Sequence, residues 1–400
     1  MKKLISFLFI FYLLFAGISK AQWFQTGFTS GNGAVVCFAV SGTNLFAGCQ
    51  NGVFVTNNYG TNWIPIGLQG NGINSLAISG SAIFAGTYGH GVYLTTNSGA
   101  SWSPVNNGLT NLFVNALVFS GTNLFAGTLN GVFRTTNNGT TWTPAGLTGT
   151  HVNSFAVSGI NLFAGTSNGV FYSTNNGANW AAVNTGLTNL MVNTLAFSGT
   201  NLFAGTQNGV FRTTNNGISW TPAGLTGSTF SALLDISGTY LLAGNNLGNV
   251  FLTTNSGTTW TNVSTGLPTM GILCLAFIPG ADPLVFAGND ASAIYRRLLT
   301  QMLSVKVISS VIPTQFSLKQ NYPNPFNPTT KIEFSLPKNV FANLIIYDIL
   351  GREVERLVNE QLNAATYEVI WDASNYPGGV YYYKLQADNY VETKKMILLK

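Results

Sequence analysis

Asn123-Leu124-Phe125-Ala126-Gly127-Thr128-Leu129-Asn130-Gly131-Val132-Phe133-Arg134-Thr135-Thr136-Asn137-Asn138-Gly139-Thr140-Thr141-Trp142 decides the fold of this chain. Two short apolar runs flank Asn130-Gly131, which reads as a type I′ hairpin because both central positions need φ > 0. Val114–Phe119 before this stretch and Trp142–Ala145 after it have the same strand-like texture. With Asn123–Thr128 and Val132–Thr136 they make four antiparallel strands, one blade of a propeller. None of these segments shows the 3.6-residue period of a helix.

The unit repeats. Leu45-Phe46-Ala47-Gly48 returns as IFAG at 83, LFAG at 124, 162 and 202, LLAG at 241 and VFAG at 285. Tryptophan returns at 23, 63, 102, 142, 180, 220 and 260, in steps of 38 to 40 residues. Asn-Gly stands again at 51–52, 168–169 and 208–209. Six copies run complete to their tryptophan strand. The seventh, Ile272–Arg297, lacks one, while Gln22-Trp23-Phe24-Gln25-Thr26-Gly27-Phe28 mimics Asn62-Trp63-Ile64-Pro65-Ile66-Gly67-Leu68. The N-terminal strand is therefore expected to complete the last blade, which closes the ring at seven and leaves no long strand edge exposed.

A second motif, Thr-x-Asn-x-Gly-x-x-Trp, joins the third strand to the tryptophan strand. Its key residues are Asn58, Gly60 and Trp63; Asn97, Gly99 and Trp102; Asn137, Gly139 and Trp142. It continues with Asn175, Gly177 and Trp180; Asn215, Gly217 and Trp220; and Asn255, Gly257 and Trp260. It resembles the Asp-box of bacterial neuraminidase repeats, with Asn where Asp is usual. The resemblance extends to the sortilin-like and photosystem II stability factor-like propellers, although the basic surface of the latter is absent here. The motif is read as a folding device: Asn bonds its own turn, Gly takes a left-handed position and Trp packs between blades.

Lys2 and Lys3, the apolar run Leu4–Gly17 and the small residues Ser19 and Ala21 read as a secretory signal peptide cut after Ala21. The run is too short to span a membrane, and no other segment reaches that length. The formal charge of +5 loses Lys2, Lys3 and Lys20 with this segment and becomes +2. Residues 22–300 hold four arginines, three aspartates and no lysine or glutamate; the last hundred residues hold ten basic and nine acidic residues. That step in charge marks a domain boundary, and a propeller so neutral offers nothing to nucleic acid. Cys37, Cys49 and Cys274 form no disulfide framework. Cys37 and Cys274 share one repeat position and are not expected to face each other.

From Pro313 the texture changes. Short strands (Lys331–Leu336, Asn343–Asp348, Tyr367–Asp372, Val380–Gln386) alternate with Pro and Gly turns, as in a small immunoglobulin-like sandwich. Tyr322-Pro323-Asn324-Pro325-Phe326-Asn327-Pro328, the YDILGREV segment with Gly351, and the end through Lys394, Lys395 and Lys400 resemble the type A sorting domain of type IX secretion. The resemblance implies an address read by the type IX machinery, with export through the periplasm of a Gram-negative bacterium to the surface. The expected organisation is a signal peptide at 1–21, a seven-bladed propeller at 22–300, a linker at 301–312 and the sorting domain at 313–400: all-β throughout.

Catalysis is not expected. Glycoside hydrolysis generally needs two carboxyl groups flanking the bond, about 5–9.5 Å apart. The propeller has only Asp235, Asp282 and Asp290, of which Asp235 and Asp282 alone fall toward one face. Arg134, Arg212, Arg296 and Arg297 are not expected to converge; His90 and His151 lack metal-ligand spacing, and no G-x-S-x-G occurs. No metal or cofactor is expected. The ligand candidates are residues that differ between copies in the entry loops and the loops between second and third strands: Tyr88, His90, Phe113, His151, Met191 and Phe230. They suit an extracellular glycan or protein, with Phe113 and Met191 read as plugs of the channel mouth. Residues 111–149 and 189–227 are nearly identical.

Overall fold

Each second strand, such as Asn123–Thr128, is apolar at consecutive positions because neighbouring blades cover both of its faces: Leu124, Phe125, Ala126 and Gly127 are all buried. A side chain at Gly127 has no room, since a Cβ there would lie 2.6 Å from Val152 Cγ1 of the next blade. Four antiparallel strands make that blade: Val114–Ser120, Asn123–Thr128, Gly131–Thr135 and Thr143–Pro144. The computed structural model describes residues 22–399 except 30, 237, 239, 281, 300, 301, 303, 304, 310, 374 and 375. The expected signal peptide and Lys400 lie outside the described residues.

Seven such sheets form residues 22–304 into one unit. The seventh contains Ile272–Ile278, Leu284–Asn289, Ile294–Leu298 and, as its outermost strand, Phe24–Gln25, with Phe24 opposite Arg296. Trp23 is 2% exposed, and its indole Nε1 donates to Val263 O at 2.8 Å. The ring thus closes on its own N-terminal strand.

The Asp-box bonds repeat almost unchanged. In the third copy Thr135 Oγ1 donates to Asn137 Oδ1 at 2.8 Å, and Gly139 N donates to Thr135 Oγ1 at 3.0 Å. Two successive residues are left-handed, Asn138 at φ 54° and Gly139 at φ 82°. The indole of Trp142 donates to Val105 O of the preceding blade at 2.7 Å; Trp102, Trp180, Trp220 and Trp260 do the same at 2.6 to 2.8 Å. Each tryptophan therefore ties its blade to the one before.

The Asn-Gly turns differ from expectation. Gly131 alone is left-handed, at φ 107°, and pairs with Thr128; Asn130 keeps a negative φ. The turn is not type I′, because Thr128 Oγ1 accepts from Asn130 N at 3.0 Å and donates to Gly131 O at 3.0 Å, holding the loop in another shape. Asn130 Oδ1 instead accepts from Gly149 N, fastening the entry loop of the next blade.

The second unit begins at Val305. Val305–Ser309, expected as linker, pairs with Ala365–Asp372 and so belongs to this unit. One sheet runs Val305–Ser309, Ala365–Asp372, Thr329–Leu336, Ser317–Leu318; the other runs Glu353–Leu362, Val340–Asp348, Gly379–Ala387, Tyr390–Leu398. They enclose a core that includes Phe326, Phe334, Trp371, Tyr383 and Met396, an immunoglobulin-like sandwich. Glu353–Leu362 is a strand that the alternation did not single out. Among the described residues no helix is long and apolar enough to cross a membrane.

The YPNPFNP segment is pinned at alternate points. Asn321 N donates to Tyr383 Oη at 2.8 Å, Phe326 is 1% exposed, and Phe326 N donates to Ile397 O of the last strand. Asn324 Oδ1 accepts from Ile397 N at 3.0 Å. Tyr322, Pro323, Asn324, Pro325, Asn327 and Pro328 stay exposed around these anchors. Gly351 takes φ 75° in a turn whose Asp348 carboxylate accepts from Arg352 Nε at 2.7 Å; Lys394 pairs with Glu392 and Lys395 faces solvent.

Candidate ligand-binding site

Every innermost strand carries a bulge at its second residue. Val114 pairs with Thr128 and Ala116 with Gly127, so Asn115 has no partner across the ladder, and the other six blades show the same shift. A bulge re-aims its extra side chain. The bulged residues are Val36, Asn74, Asn115, Asn153, Asn193, Ser231 and Leu273, and with Tyr88 they line a cavity of about 390 Å³. That lies within the range of small-ligand sites.

Four successive blades place asparagine there, and each amide reaches the next blade. Asn74 Nδ2 donates to Val114 O at 3.2 Å, Asn115 Nδ2 to Val152 O at 3.1 Å, Asn153 Nδ2 to Val192 O at 2.8 Å and Asn193 Nδ2 to Phe230 O at 3.3 Å. A backbone carbonyl only accepts, so the nitrogen must face it and the Oδ1 end is left for the cavity. Oδ1 of Asn74, Asn153 and Asn193 accepts no hydrogen bond from the described residues. The cavity therefore has an arc of amide oxygens on blades two to five, and a smaller, less polar arc of Ser231, Leu273 and Val36 opposite.

Tyr88 is 64% exposed at the rim, and its ring meets Phe113 edge-on at 5.1 Å. Their backbones form an antiparallel bridge. Phe113 and Met191 do not line the cavity, so neither is the plug expected of it. His90 is exposed in the same turn as Tyr88, its carbonyl accepting from Asn106 Nδ2 at 3.1 Å. His151 is half-buried one entry loop away, and burial lowers its imidazole pKa. Met191 is half-buried, with its N–H on Asn189 Oδ1.

Phe230, a ligand candidate by sequence, is buried instead. It is 1% exposed in a core with Phe203, Leu241 and Ala243. It occupies the first position of its strand, ahead of the bulge, where side chains pack under the neighbouring blade; Ser231 reaches the cavity instead. The asparagine arc went unrecognised in the sequence, though its sign is there: Ile73-Asn74, Val114-Asn115, Val152-Asn153 and Val192-Asn193 open four consecutive inner strands.

The carboxylates are dispersed. Asp235 caps its own turn, accepting from Gly238 N at 3.0 and 3.1 Å. Asp290 and Asp282 lie beyond opposite ends of Leu284–Asn289, on the order of 20 Å apart. Arg296 and Arg297 are adjacent in one strand and diverge: Arg296 Nη1 donates to Tyr59 O of blade one and Arg297 Nη1 to Val263 O of blade six. Both residues line a second cavity of about 460 Å³ at the edge of blade seven, with Asp282.

Residues 320–399 match the model of a secretion system C-terminal sorting domain, and residues 165–293 match the DUF6242 β-propeller domain. The chain is a β-propeller with a type IX sorting tail. The propeller and tail together make it a secreted surface protein. No curated protein matches the chain. Among solved structures, the chain is similar to YCF48 bound to D1 peptide (17% identity, TM-score 0.56, 69% of this chain and 94% of that one). It is also similar to YCF48 from Cyanidioschyzon merolae (14% identity, TM-score 0.57, 70% and 99%). A third likeness is PorZ, a surface component of the type IX secretion system of Porphyromonas gingivalis (14% identity, TM-score 0.58). That match takes in 93% of this chain and 60% of PorZ. At these identities the likeness is one of fold.

Proposed function

We propose that the propeller is a non-catalytic binding module that takes a neutral glycan at its channel mouth after export across the periplasm. The observation that carries this is the arc of Asn74, Asn115, Asn153 and Asn193 amide oxygens facing a cavity rimmed by the exposed Tyr88–Phe113 pair. Sugar hydroxyls donate to such oxygens, and the C–H face of a sugar ring packs on an exposed aromatic. The cavity holds no carboxylate among its lining residues, which fits binding without hydrolysis. The sorting tail supports recognition by the type IX machinery.

The test is a glycan array probed with the secreted full chain, with every bound glycan also assayed for turnover. Binding without turnover is expected, weakened about tenfold or more by Tyr88→Ala or Asn153→Leu. Product release would remove the non-catalytic reading. Binding unaffected by both substitutions would place the site elsewhere, and a blank array would favour a protein ligand.

A further inference from the structure

The cavity at the edge of blade seven collects departures from the repeat. The turn between first and second strands has two residues in blades one to five, as between Ser120 and Asn123, but five between Ile278 and Leu284. The first left-handed position of the Asp-box is Ser98, Asn138, Asn176, Asn216 or Ser256 in five copies, but Tyr59 in blade one, at φ 56°. A bulky residue is unfavourable there. Arg297 stands where the other blades have the Asp-box Thr or Ser. Tyr59, Arg297 and the lengthened turn at Pro279-Gly280 all line the same 460 Å³.

Arg296 supplies an internal control. Arg134 and Arg212 occupy its position in blades three and five, and their Nη1 atoms donate to Asn176 O and Ser256 O of the next blade's Asp-box. Arg296 Nη1 likewise donates to Tyr59 O, so stapling of adjacent blades explains one donor in all three. Across the ladder, Arg134 and Arg212 face Thr143 and Thr221, whereas Arg296 faces the exposed ring of Phe24. Arg296 makes no ion pair with the described residues. Its remaining N–H groups are left for the cleft.

We infer that this cleft binds an apolar monocarboxylate. The carboxylate meets the Arg296 guanidinium, whose planar fork suits it, and the apolar body lies among Phe24, Tyr59 and Leu284. Asp282 on the rim disfavours a second negative charge on the ligand. The same chemistry is offered by a free organic acid and by the C-terminus of a peptide ending in an apolar residue.

The experiment titrates the full chain by calorimetry with 4-phenylbutyrate, 4-phenylbutanol, N-acetyl-Leu-Phe and the C-terminal amide of that peptide. Saturable binding of an acid without binding of its neutral counterpart is expected. Arg296→Gln and Tyr59→Asn should each weaken it by about tenfold or more. Tyr59→Asn restores the residue of three other blades, so it should not lower the melting temperature, and Tyr88→Ala should leave this binding unchanged. Tighter binding of the peptide acid would identify a peptide terminus as the source; equal or tighter binding of 4-phenylbutyrate would identify a free acid. Equal binding of acids and neutral counterparts, wild-type affinity in both variants, or no saturation by either acid overturns the inference.

Discussion

At the scale of single residues, three thiols show what the ring does to chemistry. Cys37 and Cys274 share a repeat position and point the same way round the ring, Cys274 into the core between blades seven and one and Cys37 into that between blades one and two, so they do not face each other. All three remain free, and Cys274 Sγ donates to Val35 O at 3.3 Å. Burial pushes every one of these thiols up, Cys49 to about 12, with mutual repulsion adding to the rise at Cys37 and Cys274. An unfolded thiol ionises near 9, so above that pH the unfolded chain releases protons that the folded one keeps. Stability is thus intact below 9 and falls as pH rises toward 12, by on the order of 1 kcal/mol per pH unit per thiol. Denaturant midpoints compared at pH 8 and pH 10 should fall less in Cys49→Ala than in the parent chain. An equal fall would mean that Cys49 titrates normally in the fold.

Among elements, the N-terminal strand has the largest consequence for its size. Phe24–Gln25 is two residues long, yet Trp23 beside it is buried and reaches blade six through Val263 O. Arg297 Nη1 donates to the same carbonyl at 2.6 Å, so the seam is fastened twice. Trp23→Ala should cost about 3–5 kcal/mol, as for a buried tryptophan in a continuous core. Urea unfolding measures it, and a cost no greater than that of an exposed substitution would show that the ring is held closed without this strand. Closure was legible because Trp23 keeps the tryptophan spacing and its flanking residues copy a complete blade. The bulges were not: Val114-Asn115-Ala116-Leu117 reads as ordinary alternation, and only pairing with the second strand shows that Asn115 is extra. For the same reason Phe230 reads from its aromatic side chain as a rim residue, while its position before the bulge puts it in the core. Val305–Ser309 carried too little contrast with the stretch around it to be separated from a linker.

Over the whole molecule, charge is divided between the two units, and so is the response to acid. The ion pairs found among the described residues all lie in the sorting domain, from Lys319–Glu333 to Lys394–Glu392. Hydrogen bonds from Arg352 hold Asp348 below its usual carboxylate range, those from Arg356 do so for Glu353, and those from Tyr390 and Lys394 for Glu392. A carboxylate depressed in the fold contributes stability that is complete above its unfolded pKa, near 4, and is lost as pH falls through the lower folded value. Glu353 is exposed and Asp348 and Glu392 are only half-buried, so each contribution is small and screened by salt. The propeller has only three carboxylates and is held by apolar burial and by tryptophan, threonine and asparagine hydrogen bonds, none of which titrates in that range. Two unfolding transitions are therefore expected in calorimetry of the full chain. The sorting-domain transition should fall between pH 5 and pH 3 and depend on salt; the propeller transition should hardly move. Intrinsic fluorescence assigns them, since the propeller has seven of the tryptophans and the sorting domain has Trp371 alone. A propeller transition that falls in parallel would show that its three aspartates carry more of the fold than their turn positions imply.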